Sequence, residues 1–220
     1  MKTSIVIPVY GDFVKFLQEC LNNLKELQGT YEIIVASNGR TAGVDAICKK
    51  FHVVHITRDA DAQPLLINFG FQHAHGDYFL DMGVDDLLVP DYLTIAENVL
   101  DTKPEYDVAV PQYMTFGKNQ VGTLNVAEGL IPAIITHNTM YMGSLIRRSL
   151  WEKVGGFDEQ IPHHVLYDWE FWIRVYKAGA KAYMLDKPLY LYRVHDQNTN
   201  TTYSAHAAEF IAYARAKGTL

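Results

Sequence analysis

Two adjacent carboxylates at the end of an apolar run are the residues of this chain best suited to chemistry. Residues 76–86 read GDYFLDMGVDD, so Asp85 and Asp86 follow a strand-like segment, and a helical pattern begins after Pro90. Two acids at the end of a buried strand repel each other, so folding alone rarely selects them. A hard divalent cation that also holds a diphosphate would give the pair a function. The alternative is a pair of acids that favours the start of the following helix.

The elements that position these acids alternate along the first hundred residues. Predicted strands cover residues 4–9, 32–36, 52–56 and 78–82, and predicted helices begin near Phe13, Val44, Pro64 and Tyr92. A strand–helix alternation predicts a mostly parallel sheet with helices on both faces. Ligands of such sheets bind beyond the carboxyl ends of the strands. The turns at residues 9–12, 37–40 and 84–86 should therefore meet at one edge.

The second half of the chain is less regular and predicts a small antiparallel part. Its predicted strands are residues 107–114, 121–126, 142–146 and 189–194, and its predicted helices are residues 147–154, 169–176 and 205–216. No repeat, linker or low-complexity segment divides the chain. We therefore expect one domain over residues 1–220, with a nucleotide-binding half up to about residue 100 and a second half after it.

Composition limits the classes of function. The chain has 220 residues, of which 49% are hydrophobic and 20% charged, and its net charge of −6 makes a general nucleic-acid binder improbable. Its two cysteines, Cys20 and Cys48, lack metal-binding spacing and indicate a reduced, cytoplasmic protein. The first strand follows Met1 directly, without a signal-peptide pattern, and no apolar run reaches the ~20 residues that span a bilayer. Any membrane contact would be peripheral.

Six short motifs share their order and spacing with one enzyme family. They are SIVIPVY at residues 4–10, NFG at 68–70, AHGDY at 74–78, VGGFDE at 154–159, YDWEFWIR at 167–174 and YRVH at 192–195. Together they resemble the family-two glycosyltransferases, the inverting group with the Rossmann-like GT-A fold, over roughly residues 4–198. The resemblance implies transfer of a sugar from a nucleotide diphosphate sugar to an acceptor hydroxyl, with inversion at the anomeric carbon.

The resemblance also implies a metal site. Asp85 would ligate Mg²⁺ or Mn²⁺, and Asp86 would position the metal site or the donor. His195 would be a further metal ligand, with a purely structural histidine as the alternative. The first acid of the family's D-x-D-D element falls on Gly83. Asp81, two residues back on the same strand face, either substitutes for that acid or is a structural hydrogen-bonding residue.

Asp168 is the candidate general base. Inversion needs a carboxylate that takes the proton of the acceptor hydroxyl as this hydroxyl attacks. The alternative for Asp168 is a helix N-cap. Glu170 is a rival base, but Arg174 stands four residues later, and this spacing favours a salt bridge on the helix surface.

The donor pocket is predicted to consist of Pro8, Val9, Tyr10, Asp12, Ser37 and Asn38. The family usually has two acids where this chain has Ser37 and Asn38, and an acid there accepts a hydrogen bond from the uracil ring N–H. Because the Asn38 amide can accept or donate, a UDP-sugar is favoured while another base stays open. Asn68 either contacts the donor or ties down its helix. Arg193 either binds phosphate as a fork of donors or forms a surface ion pair.

Two other functions were weighed against glycosyl transfer. A nucleotidyltransferase usually has a Gly-rich, basic loop after its first strand, and VYGD at residues 9–12 is neither. A catalytically degenerate relative that binds sugars or partners stays open because of Gly83, Ser37 and Asn38. For an active enzyme the acceptor would be a glycan or a lipid-linked sugar.

The last helix could pack on the core, form a homodimer contact or touch a membrane surface.

Overall fold

The computed structural model describes residues 2–118, 122–124, 128–196, 198 and 203–220. The strands in these ranges are β1 (Thr3–Val9), β2 (Tyr31–Ser37), β3 (Val54–Thr57), β4 (Tyr78–Asp81), β5 (Leu87–Leu88), β6 (Val108–Gly117), β7 (Gly122–Leu124), β8 (Leu145–Arg147) and β9 (Ala182–Val194). The α-helices are α1 (Val14–Leu24), α2 (Val44–Phe51), α3 (Gln63–Gln72), α4 (Tyr92–Thr102), α5 (Arg148–Val154), α6 (Tyr167–Lys177) and α7 (Tyr203–Lys217). Three 3₁₀ turns span Gly11–Phe13, Pro132–Ile135 and Pro162–His164.

The strands form one mixed sheet. Their order is β3-β2-β1-β4-β8-β6-β9-β5, and β7 pairs with β6 outside this path. The first four strands along this order are mutually parallel, whereas β8 runs antiparallel to both β4 and β6. The predicted architecture is confirmed, a mostly parallel sheet with its antiparallel part in the second half of the chain.

Helices cover both faces of the sheet because the inner strands are apolar on both sides. All seven residues of β1 are buried. Val6 belongs to the core cluster that contains residues of α3, α5, α6 and α7, whereas Ile5 and Ile7 belong to the cluster with residues of α1, α2 and α4 on the other face. Because β1 is buried on both faces, its place in the sheet is fixed, and so is the position of the turn at its carboxyl end.

Two strands differ from the sequence expectation. β9 has 13 residues instead of the predicted six, because exposed Asp186 and Lys187 interrupt its apolar pattern and hide its first part. It also carries two register shifts against β6. β5 was not predicted, since two residues give no periodic signal. It pairs antiparallel with β9, with Leu87 opposite Leu191. This pairing brings the acid pair beside the end of β9. Of the predicted strand at 121–126, residues 121, 125 and 126 lie outside the described ranges.

Both cysteines are free and buried, as expected, and burial raises the thiol pKa of Cys48 to about 11. No helix within the described residues combines the length and apolar character needed to cross a bilayer.

Candidate active site

A cavity of about 710 Å³ opens beyond the carboxyl ends of β1 and β4. We call it the central cavity. Five aspartates line it, namely Asp61, Asp81, Asp85, Asp86 and Asp168. None of the described lining residues is a lysine or an arginine. Since like charges at close range disfavour ionisation, the cavity needs either bound protons or a cation.

Asp85 lines this cavity, and His195 contacts Asp85, so the structure brings the two predicted ligands together. The β5–β9 pairing places the imidazole Nε2 of His195 2.8 Å from Oδ2 of Asp85. The His195 ring stacks on Phe16 at 5.3 Å between centroids, and its backbone N–H donates to Oδ1 of Asn198. A carboxylate oxygen and an imidazole nitrogen so placed are suitable ligands for one divalent cation.

Asp86 lies deeper and is held by the protein. Its Oδ2 accepts a hydrogen bond from the Tyr190 hydroxyl at 2.7 Å, and its Oδ1 accepts one from the backbone N–H of Arg193 at 2.9 Å. Burial, and then the neighbouring Asp85 charge, raise the pKa of Asp86 well above its usual value. Asp86 is therefore the inner member of the acid pair, and the protein fixes its carboxylate.

The Arg193 guanidinium braces the same turn and does not line the central cavity. Its Nε donates to the carbonyl oxygen of Asp85 at 2.6 Å, and its Nη2 pairs with Glu19 at 2.8 Å. The group also lies 4.3 Å from the centre of the Phe116 ring. The structure thus favours the ion-pair alternative for Arg193 over a free phosphate fork.

Gly83 leaves the space that the two acids occupy. A Cβ built at Gly83 would lie 2.6 Å from Oδ2 of Asp86 and 2.9 Å from Oδ1 of Asp85, closer than real Cβ atoms come to other atoms. Asp81, one pleat deeper, is only 3% exposed, and burial raises its pKa to about 7. The chain therefore keeps a carboxylate on this strand, in the apolar interior.

Asp168 lies in the first turn of α6 and is not its N-cap, which is Leu166 in a left-handed conformation. Its Oδ2 accepts a hydrogen bond from Nδ2 of Asn138 at 2.9 Å. Burial raises the pKa of Asp168 above its usual value. Asn138 was missed at the sequence level because it lies in a segment without a readable motif. It fixes the orientation of the carboxylate that faces the cavity.

Glu170 forms the predicted salt bridge with Arg174, with N–O distances of 2.7–2.9 Å. The prediction of a surface pair was wrong, because the Glu170 side chain is fully buried. The chain after α7 returns over it, and the Thr219 hydroxyl donates to Oε1 of Glu170 at 3.0 Å. Glu170 is thereby engaged in the interior and does not line the central cavity.

A second cavity of about 670 Å³ adjoins the first, and Tyr10 and Asp61 line both. We call it the side cavity; Asp12 and Asn38 also line it, as predicted for the donor pocket. Both polar atoms of the Asn38 amide already have partners. Its Nδ2 donates to Oδ1 of Asp61 at 2.6 Å, and its Oδ1 accepts hydrogen bonds from Arg40 N and from Thr41 N and Oγ1.

Asp61 therefore presents the carboxylate at this position, and sequence reasoning missed it. The available signal was its place after the predicted third strand, at the same sheet edge as the other turns. Arg40 pairs with both Asp61 and Asp59, which ties the two turns together.

Of four other predicted donor residues, only Pro8 lines a cavity. Pro8 lines the central cavity, whereas the next residue, Val9, is fully buried against the opposite face, as strand alternation requires. Ser37 is buried, with its Oγ 2.9 Å from Nε2 of His55. The Asn68 amide bonds both N–H and C=O of Phe157, so it ties down its helix instead of lining either cavity.

Comparisons with known proteins agree with this geometry. The model of the family described as glycosyl transferase family 2 matches residues 4–160. An uncharacterized glycosyltransferase of Rickettsia typhi is 23% identical over 215 residues, which cover 90% of this chain and 66% of the relative. The chain thus spans just under two thirds of that relative.

Two solved structures share the fold. S. aureus TarS, residues 1–349, in complex with UDP-GlcNAc, superposes with a TM-score of 0.76 at 20% identity, over 92% of this chain and 61% of that one. The mannosyltransferase PcManGT of Pyrobaculum calidifontis, in complex with GDP-Man and Mn²⁺, gives a TM-score of 0.71 at 14% identity, over 99% of this chain and 64% of that one.

Proposed function

The chain belongs to glycosyl transferase family 2, and on this premise we propose that it is an inverting, metal-assisted glycosyltransferase. It would move a sugar from a nucleotide diphosphate sugar to a hydroxyl of a glycan or a lipid-linked acceptor. A UDP-sugar is the favoured donor.

The observation that carries the metal requirement is the charge of the central cavity. A diphosphate brings further negative charge to a site with five aspartates and, among the described lining residues, no lysine or arginine. A divalent cation on Asp85 and His195 would hold the diphosphate and stabilise it as a leaving group. The imidazole ligand favours Mn²⁺ over Mg²⁺, which prefers oxygen ligands.

The proposed base is Asp168. Its carboxylate lies in the same cavity, oriented by Asn138, and burial raises its pKa above the usual value, which makes it a stronger base. It would accept the proton of the acceptor hydroxyl as the hydroxyl attacks the anomeric carbon. Asp86, which the Tyr190 hydroxyl and the Arg193 backbone N–H hold in place, would support the donor side of the site beneath Asp85.

Base recognition would fall to Asp61, because its carboxylate has about four acceptor positions and the bonds from Asn38 and Arg40 occupy only two of them. The Asp61 carboxylate lines both cavities and can accept a hydrogen bond from a ring N–H, such as that of uracil. Cytosine has no such ring N–H, so a carboxylate that accepts a hydrogen bond at this position favours uridine over cytidine. The UDP-GlcNAc bound to TarS supports a uridine donor, and the GDP-Man of PcManGT makes guanosine the main competitor.

Calorimetric titration of UDP, GDP, dTDP and CDP, each with and without Mn²⁺, tests this proposal. We expect UDP to bind best, and at least about tenfold more weakly without Mn²⁺, which corresponds to about 1.4 kcal/mol. The matched variants are Asp85→Asn and His195→Gln, which should remove the effect of Mn²⁺. Asp61→Asn should weaken UDP binding while the effect of Mn²⁺ persists.

The alternative is a catalytically degenerate relative that binds sugars or a partner. Absence of binding for all four nucleotides, with Mn²⁺ present and the protein folded, would favour it. Binding that is indifferent to Mn²⁺ and to both ligand variants would contradict the metal role while leaving glycosyl transfer open.

A further inference from the structure

A second group of metal-ligating side chains lies at the border of the site described above and includes none of the residues assigned there. His163 belongs to the 3₁₀ turn before α6, and His206 and Glu209 stand three residues apart on α7, hence on one helix face. One ligand atom from each of the three lies within 4.8 Å of the other two. The fold thus brings together residues that are far apart in the chain, one from a loop and two from the last helix.

An ion pair alone does not account for this arrangement. Nε2 of His163 lies 2.9 Å from Oε2 of Glu209, and these side chains are 49% and 55% exposed, so the pair itself contributes little to stability. The second imidazole, His206, places its ring centre 4.2 Å from that of His163. Two imidazoles beside one carboxylate would repel each other if both were protonated, whereas their neutral nitrogens suit a cation.

We propose that His163, His206 and Glu209 form a second divalent-metal site, of the class that binds Zn²⁺. Two imidazoles and one carboxylate are a ligand set that Zn²⁺ accepts, with water completing the coordination. By ligand type this site is less suited to Mg²⁺, which prefers oxygen ligands. It is separate from Asp85 and His195, with which it shares no residue.

The site would fix the loop that borders the central cavity on the Asp168 side. His163, His164 and Leu166 all have left-handed backbones, with φ of 55°, 52° and 59°. Such conformations are costly for residues other than glycine and persist only when surrounding contacts hold them. These three residues also line the central cavity. A metal bonded to both loop and α7 would hold that wall in place.

The test is calorimetric titration of the full chain with Zn²⁺, in an Asp85→Asn background that weakens the first metal site. We expect one remaining saturable site. His206→Gln and Glu209→Gln, each added to this background, should weaken its Zn²⁺ affinity at least about tenfold. The matched control is His137→Gln, which removes another exposed histidine beside a glutamate, with 3.8 Å between His137 Nε2 and Glu128 Oε2. It should leave the affinity unchanged.

A second measurement separates metal binding from general destabilisation. Zn²⁺ should slow amide hydrogen exchange over residues 162–166 in the parent and in His137→Gln, but not in His206→Gln. Circular dichroism would confirm that each variant is folded, and Glu209→Gln replaces His206→Gln if the latter is not. The proposal is overturned if no saturable Zn²⁺ site exists in the Asp85→Asn background, or if both ligand variants bind Zn²⁺ as tightly as their parent.

Discussion

The buried carboxylate of Asp81 should make the protein less stable as the pH rises, and Asp81→Asn should remove this dependence. The unfolded carboxyl ionises near pH 3.8, whereas the folded one has a pKa of about 7 because of burial. Between these values the folded state keeps a proton that the unfolded state has released, so stability falls by about 1.4 kcal/mol for each pH unit. Above pH 7 both states are ionised, and the cost levels off at roughly 4 kcal/mol.

Urea denaturation at pH 5, 6, 7 and 8, with a chelator present, measures the effect. Any contact that the new amide gains or loses is independent of pH, so the informative quantity is the change of the variant-minus-wild-type difference. We expect this difference to grow by about 2.3 kcal/mol from pH 5 to pH 7 and by only about 0.4 kcal/mol more up to pH 8. Asp186→Asn, at an exposed position of β9, is the control and should show no such trend. A difference for Asp81→Asn that stays constant within about 0.5 kcal/mol would refute the reasoning.

Three further substitutions test the site. Asp168→Asn should lower kcat by about 10²–10⁴-fold while the donor Kd is kept, and near-normal turnover would exclude Asp168 as the base. Gly83→Asp, although it restores the family's first acid, should weaken Mn²⁺-dependent nucleotide binding, because its Cβ would lie 2.6 Å from a carboxylate oxygen of Asp86; tighter binding by calorimetry would contradict this. Glu170→Gln leaves the Arg174 charge without its buried partner and should cost about 3 kcal/mol in urea denaturation, with the donor Kd unchanged. A fall in donor affinity without a loss of stability would instead give Glu170 a role at the site.

Much of the fold could be predicted from the periodicity of the apolar residues. The parallel strands and their helices carry continuous apolar runs or helical spacing, and each lies within a few residues of its predicted place. Two features were not readable, the two-residue β5 and the first seven residues of β9. A two-residue strand has no period, and the start of β9 is stabilised by pairing with β6, a contact distant in sequence.

The convergence of the candidate site residues could be predicted where a reactive side chain stands at the end of a strand or a helix. Asp85, Asp86, Asp168 and His195 each stand at such an end, and the fold brings all four to one edge. Residues inside elements were less predictable, because a single side-chain contact decides their role. Asn68 illustrates this, since its amide was equally suited to a ligand or to the Phe157 backbone that it bonds.

The replacement of an acid by Gly83 is consistent with a working site when charge is counted over the whole cavity. Asp81 keeps a carboxylate on the same strand face, but its burial lets it hold a proton up to about pH 7. The Asp85 carboxylate lines the cavity and contacts the His195 imidazole, and both side chains keep part of their surface exposed. A cation ligated there would lower the pKa of the nearby acids, so that metal binding and proton release become coupled. The cavity would then reach its full negative charge only when a cation is present to balance it.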